Sequence, residues 1–395
     1  MISYLKRSFA VFSVLGFLFI PLTFFAFDYQ YQVTRFIFLT PVTFIQDHLF
    51  SHAIKNIDFS SDTIGLNILL GLLLIISFLW VFVLQLFRVS TTRIVPLFKL
   101  LSVYYIAAVF LKYGLDKVFK RQFYLPEPNI LYSNLGNLTK DTLFWSTMGT
   151  SHIYSVVTGI IEVIAGLLIL FKRTRVAGFF LAFLVAINIL LINIGFDISV
   201  KLFTLFLLMV VFFNLYPFLK TSYAFFIQHK TVQLPGSYTI SINKWVHTCL
   251  CTGIIGLVLM PYISAGNFND DNAARPFLHG AYQVEHFTIN NDSLSKCDFP
   301  YRRFFIHRNS YIIFQKEDDT MVDYFFEMNE GAKQMEIRDY ENNKIAITYN
   351  YEEKAGALQL TFANKLNWII ESKALDWKAL PAVQDGIHYT IDEIK

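Results

Sequence analysis

Cysteine is scarce: the 395 residues hold three, Cys249, Cys251 and Cys297. So few, so placed, exclude a disulfide framework and the paired spacing of a zinc site. Cys249 and Cys251 stand two apart in an apolar run, so on a helix they point in different directions and read as small packing residues. Charge is scarce too, at 16% of residues, and a formal net of +3 with Lys and Arg dispersed at segment ends is no footprint for nucleic acid. The last third lacks a nucleophile motif, a phosphate loop and metal-ligand spacing, and His279, His286, His307 and His388 are scattered over separate segments. The apolar part lacks the paired broken helices and inverted repeat of a secondary transporter.

What the chain does have is oil, with 54% hydrophobic and 17% aromatic residues and a mean hydropathy of +0.45. The excess is concentrated between residues 9 and 263, whereas charge returns at ordinary surface density from 267 onward. A membrane-crossing helix needs about twenty apolar residues, because each rises about 1.5 Å through roughly 30 Å of hydrocarbon. On that ruler six or seven transmembrane helices are expected, at 9–27, 64–87, 96–113, 153–171, 176–195, 200–218 and 245–263, the third being the shortest. The first is too long for the core of a signal peptide, and Asp28-Tyr29-Gln30 follows in place of a small-residue cleavage site, so it reads as a retained anchor.

Basic residues set the expected orientation. Lys6 and Arg7, Arg88, Arg93 and Lys99, Lys172, Arg173 and Arg175, then Lys220, Lys230 and Lys244 fall on one side if seven helices alternate. The amino terminus is then cytoplasmic and the carboxy-terminal domain periplasmic. Lys117, Lys120, Arg121 and Lys140 oppose this count; following an apolar helix directly, they are expected on a continuing helical turn that folds back into a cavity. Between the first two spans, Pro41 interrupts an apolar run too short to cross, which reads as an outer interfacial segment. Phe225-Phe226-Ile227 reads similarly on the inner face, before a turn at Pro235-Gly236.

Past residue 266 blocks give way to alternation, with strands expected at 302–307, 311–314, 322–327, 335–338, 345–349 and 357–362. Short, closely spaced strands predict a small antiparallel β domain, either barrel or sandwich, with Trp368 and Trp377 filling a barrel end. The domains are then 1–95 (first transmembrane helices and outer segment), 96–219 (helical core), 220–263 (inner linker and last helix) and 264–395 (soluble β domain).

A charge at mid-depth in lipid costs several kcal/mol unless it faces protein, so such residues are the candidate site. Glu162 lies well inside its span between Gly159 and Gly166, which let a neighbouring backbone come close. It is either a buried carboxyl holding two helices together or a proton-accepting or ligand-binding group. Asn188, Asn193 and Asp197 follow on the next span, with Asn193 and Asp197 four apart and so on one face, and Lys201 is near enough to pair with Asp197. Tyr113 and Lys117 share a face with Arg121, either as snorkelling groups or as part of the site. Trp145 and Tyr154 flank the fourth span, where aromatic belts belong.

Several short motifs, covering about a quarter of the chain, carry a family resemblance: Tyr113-Gly114-Leu115-Asp116-Lys117, then Gln122-Phe123 with Pro126 and Pro128, Trp145 with Met148-Gly149, Ser151 and Tyr154. They continue with Gly159, Glu162 and Gly166, the basic turn 172–175 before Gly178, then Asn188, Asn193, Asp197 and Val200-Lys201. This stretch resembles the DoxX-like family of small four-helix membrane proteins, and the tail 380–392 is similar to that of longer Bacteroidetes-type members. The resemblance implies a bacterial inner membrane, a four-helix core, and Tyr113, Lys117, Gln122, Trp145, Tyr154, Glu162, Asn188, Asn193, Asp197 and Lys201 as candidate ligand-binding residues. Some relatives are linked to quinone reduction and others to chaperone or receptor roles. Without a thiol pair or haem-spaced histidines in the helices, an electron-carrying role needs a bound quinone or a partner subunit.

Two functions are therefore expected in parallel. One is a quinone- or lipid-binding module of a membrane redox or envelope process, with Glu162, Lys117, Asn188 and Asn193 lining a cavity that opens outward beneath the β domain. The other is a non-catalytic assembly factor or receptor whose periplasmic β domain binds a protein or lipid partner.

Overall fold

The computed structural model describes residues 1–22, 29–49, 57–233, 242–363, 367–384 and 386. The end of the first expected span, the Pro235-Gly236 turn, His388 and most of the closing tail lie outside the described residues.

The helices are α1 (Ile2–Phe19), α2 (Tyr29–Leu49), α3 (Ile64–Leu86), α4 (Ile94–Val118), α5 (Pro128–Leu131), α6 (Lys140–Thr150), α7 (His152–Leu170), α8 (Arg175–Gly195), α9 (Lys201–Phe226) and α10 (Lys244–Ala265). Among the described residues seven, α1, α3, α4 and α7 to α10, are long and apolar enough to cross a membrane. Their boundaries follow local chemistry. The Thr63 hydroxyl accepts from the Leu66 N–H at 3.2 Å to cap α3, and Gly266 takes a left-handed φ of 59° to close α10. On the outside of α3, Ile75, Leu79, Trp80 and Phe82 are exposed, a surface only hydrocarbon tolerates. This is a multi-pass membrane protein.

Three expectations are corrected. The third span is not the shortest, since α4 runs 25 residues to Val118. Pro41 does not break its segment: α2 continues through it for 21 residues, because a proline forfeits one backbone bond that the turns on either side can outlast. Phe225 and Phe226 are not a separate segment but the exposed final turn of α9.

The chain forms two compact units. One is Met1–Gln122 with Val156–Phe268; the other is Phe123–Ser155 with Asn269–Lys395. In the helical unit, aromatic rings fill the junction of α1, α4 and α9. Phe9 stacks on Phe213 at 5.0 Å, Phe98 meets Phe213 edge-on at 5.2 Å, and Phe17 stacks on Tyr105 at 4.2 Å.

The second unit contains β1 (Gly280–Ile289), β2 (Asp292–Ser293), β3 (Arg303–His307), β4 (Tyr311–Gln315), β5 (Met321–Asn329), β6 (Gln334–Arg338), β7 (Lys344–Glu352), β8 (Ala357–Phe362) and β9 (Ile369–Leu375). Each strand from β3 onward pairs antiparallel with the next, β1 pairs with β3, and β1 returns to pair with β9, from Ala281 opposite Leu375 to Thr288 opposite Ile369. The sheet is therefore a closed eight-stranded barrel, with two-residue β2 as a spur on β1. Phe287, Phe304, Ile306, Ile312, Leu360 and Ile370 lie in its interior, each fully buried. Trp368 packs on that interior, whereas Trp377 joins Ala281, Phe305 and Ile313 on the outer face.

Phe123–Ser155, which the motif pattern assigns to the helical core, belongs to the barrel unit. Tyr132, just after α5, stacks on Phe305 at 6.0 Å, and its carbonyl accepts from Gln315 Nε2 at 3.1 Å. Apolar side chains that alternate outward from β1, β3 and β4 are thus covered by a segment from elsewhere in the chain.

Candidate functional site

Ser155, Gly159, Glu162 and Gly166 recur at intervals of four, three and four, so they form one buried face of α7. Opposite them lie Gly114 and Lys117 of α4. A Cβ on Gly159 would stand 2.6 Å from the Gly114 carbonyl oxygen, and one on Gly114 would stand 2.8 Å from the Gly159 oxygen, so the two backbones touch where only glycine fits. That contact lets Lys117 reach across and donate its Nζ to Glu162 Oε1. Glu162 is 4% exposed, and its Oε2 is buried without a hydrogen-bond partner among the described residues. Two charges taken out of water hold each other, and one strong acceptor is left unused. Of the basic residues expected on an inward-folding turn, Lys117 and Lys120 at the end of α4 are buried, whereas Lys140 opens the separate helix α6 and is exposed.

One turn along, Lys112 Nζ pairs with Asp116 Oδ2 at 2.6 Å, and the Tyr262 hydroxyl of α10 donates to Asp116 Oδ1 at 2.6 Å. The Arg121 guanidinium covers the Tyr262 ring at 4.7 Å and donates to the Pro261 carbonyl at 3.3 Å. Leu101, Tyr104, Tyr105, Ala108, Lys112 and Asp116 share one side of α4, the steps between them being three or four residues except from Tyr104 to its neighbour Tyr105. The first four line an apolar groove of 270 Å³ completed by Val14, Phe17 and Leu18 of α1 and by Ile254 and Leu257 of α10. The buried Tyr105 hydroxyl has no hydrogen-bond partner among the described residues. The Tyr104 hydroxyl meets His247 Nδ1 at 2.8 Å.

The other expected site residues disperse. Tyr113 stays beside Lys117, with Lys112 Nζ 4.9 Å from its ring centre. Gln122 closes the same segment, its Oε1 buried and unpartnered among the described residues. Trp145 lies in the barrel unit against Phe123 at 5.3 Å, and Tyr154 is exposed near the start of α7. Asn193 is buried and donates to Thr204 Oγ1 at 2.8 Å, a bond between α8 and α9. Asn188, five residues earlier, faces outward and is exposed. Asp197 does not share a face with Asn193, because α8 ends at Gly195 and Asp197 adopts a left-handed φ of 54°. It does pair with Lys201, at 2.7 Å, as the spacing predicts.

Residues that motif reading passed over carry the remaining polar chemistry. Asp116 and Lys112 were available as a four-residue pair, but Tyr262 is 146 positions from Asp116 and no local signal marks it. In the barrel unit the histidines are not all scattered. His279 Nε2 lies 2.8 Å from Glu127 Oε2, and His307 lies 4.0 Å from the same oxygen. Arg308 Nε donates to Glu127 Oε1 at 2.5 Å, and its Nη1 reaches Asp270 Oδ2 at 2.5 Å. Burial pushes the Glu127 carboxyl up, but hydrogen bonds from His279 and Arg308 and the Arg308 charge outweigh it and hold the group at about 2. Burial lowers His307 against the pull of Glu127. Among the described residues no three of His, Cys, Asp and Glu are placed to hold a metal ion.

No protein-family model matches the chain, and no solved structure matches it. Over 97 residues it is 35% identical to the uncharacterised protein YwoB of Bacillus subtilis (strain 168). The match takes in 25% of this chain and 61% of YwoB, so the chain spans under two thirds of that relative's length. The similarity assigns no activity.

Proposed function

We propose that the helical unit binds one amphipathic lipid-like molecule, of the quinone class first, in a long DoxX-like protein of a bacterial inner membrane. The observation that carries this reading is the single face of α4, apolar from Leu101 to Ala108 and ionic from Lys112 to Asp116. The rise from Ala108 to Lys112 is about 6 Å, so a tail in the groove places its head at Lys112, Asp116 and Tyr262. The Lys117–Glu162 pair keeps α7 against the neighbouring face, and the free Glu162 Oε2 offers an acceptor to a hydroxyl or a proton.

A periplasmic carboxy terminus agrees with the fold. Residues 123–155 and the barrel belong to one unit, so they share a side of the membrane, and the four spans α7 to α10 between them satisfy that parity. Most Lys and Arg of the connecting loops then fall on the opposite, cytoplasmic side with the amino terminus.

The test is extraction of the detergent-purified chain followed by mass spectrometry. Wild type should carry a quinone or lipid. Ala108→Phe should expel it by filling the groove, and Asp116→Asn and Glu162→Gln should lower its occupancy. A wild type free of any small molecule, with the three variants unchanged in cells, would end this reading. The alternative, a receptor or assembly factor, draws on the barrel, whose interior holds fully buried apolar side chains and whose outer surface is what a periplasmic partner would recognise. Crosslinking a reproducible partner to that surface, with no lipid in the helices, would favour it.

A further inference from the structure

The outward asparagine of α8 is the least explained group in the helical unit. Asn188 lies roughly 20 Å along the helix from Arg175 and roughly 10 Å short of Gly195, inside the hydrocarbon layer by either measure. Its amide is exposed and has no hydrogen-bond partner among the described residues. The opposite face of α8 is satisfied, with Gly178, Phe179, Ala182, Ala186 and Asn193 buried. An amide left bare in lipid forfeits hydrogen bonds that water would supply elsewhere, so the arrangement is incomplete in a single chain.

The neighbours of Asn188 indicate what completes it. Ala177, Leu181, Leu184, Asn188, Leu191 and Gly195 recur at intervals of four, three, four, three and four, the repeat of a helix that packs against another at a shallow left-handed crossing. Leu184 and Leu191, on either side of the asparagine, are 63% and 64% exposed, and Gly195 has open space where a side chain would be. A seam of apolar residues holding one asparagine is the pattern in which that residue sets register and partner number.

We infer that α8 pairs with α8 of a second copy of this chain through Asn188. Copies inserted in one membrane share an orientation, so a two-fold axis along the bilayer normal brings the helices together parallel. Asn188 then meets its counterpart at the same depth with no adjustment. An amide carries both donor and acceptor, so two identical ones satisfy each other across that axis. A foreign helix would need a polar group at a matching depth, which nothing in this chain specifies.

The experiment reconstitutes the full chain into phosphatidylcholine vesicles, with donor- and acceptor-labelled copies mixed at falling protein-to-lipid ratios, and reads energy transfer. Wild type should show transfer above random proximity. Asn188→Leu should weaken association roughly three- to thirty-fold, the range of an interhelical hydrogen bond or two, while Asn188→Gln, which keeps the self-complementary amide, stays near wild type. Trp80→Leu, on the exposed face of α3, should change nothing. Because the Asn188 side chain is exposed and makes no hydrogen bond among the described residues, Asn188→Leu should unfold no earlier than wild type, which separates lost pairing from lost folding. The inference is overturned if wild type is monomeric at its native density, or if it dimerises indifferently to Asn188→Leu. Crosslinking from position 188 to another protein but never to a second copy would overturn it as well.

Discussion

Each unit of this protein buries a glutamate, and the two are held in opposite ways. Glu127 in the barrel unit has both oxygens engaged: Arg308 Nε on Oε1, and His279 Nε2 and the Arg308 backbone N–H on Oε2. Glu162 in the helical unit has Lys117 on one oxygen and, among the described residues, no hydrogen-bond partner on the other. Both are 4% exposed, so burial alone does not distinguish them. Satisfaction does. A carboxylate enclosed by donors is a fastener, because opening the structure leaves charges stranded. One that keeps an open oxygen retains capacity for something that arrives.

The most damaging way to break this comparison is Arg308→Met, which takes the guanidinium away from Glu127 and Asp270 at once. It should destabilise the barrel unit by about 3–5 kcal/mol, seen as a lower unfolding midpoint and faster amide exchange over residues 123–151. Normal stability in that variant would remove the fastener role. Acid attacks the same cluster more gently, since a protonated carboxyl still makes hydrogen bonds. The Glu127 carboxyl titrates near 4.5 when unfolded and at about 2 when folded, so its contribution is complete above about pH 4.5 and is lost as pH falls through about 2. Raising pH above neutrality should leave that contribution intact. Circular dichroism from pH 7 to pH 2 would show whether the barrel unit loosens in that window.

In the helical unit the comparison sharpens at glycine. Gly159→Leu should drive α7 off α4 and cost about 1–3 kcal/mol, while Gly253→Leu, which meets nothing within 4 Å, should be silent. Denaturant titration of the two variants in one detergent reads the difference, and equal effects would contradict the close crossing. The smallest effect belongs to Asn193→Val, which removes the bond to Thr204 between α8 and α9. About 0.6 kcal/mol is expected, the usual worth of such a bond in a membrane, measured in the same titration.

Hydropathy made the seven spans legible because crossing hydrocarbon demands length and greasiness that nothing else in the chain matches. Closure of the β domain was not legible. Of the expected strands, all six are found, but β1 and β9, the pair that decides for a barrel, were overlooked. β1 bulges between Val284 and His286, which puts Glu285 and His286 side by side on the exposed surface and spoils the alternation. Strand β9 carries Glu371 and Lys373 outward. The site was legible at Glu162, since a lone acid in an apolar span announces itself. Its partner across 45 positions was nameable only as one lysine among several. Asn188 and Asn193 invite grouping by type, yet five residues on a helix separate them by about 140°, and only packing tells which one faces protein.

The barrel unit also imposes a timetable. Glu127 leaves the ribosome 181 residues before Arg308, an interval of roughly ten to forty seconds at ordinary elongation rates. Through that interval four further helices must be threaded into the bilayer while the loop bearing Glu127 waits without its clasp. The nascent protein is therefore most vulnerable to proteases at this loop during its own synthesis, and the arrival of the final strands ends the exposure by certifying that every preceding helix was inserted.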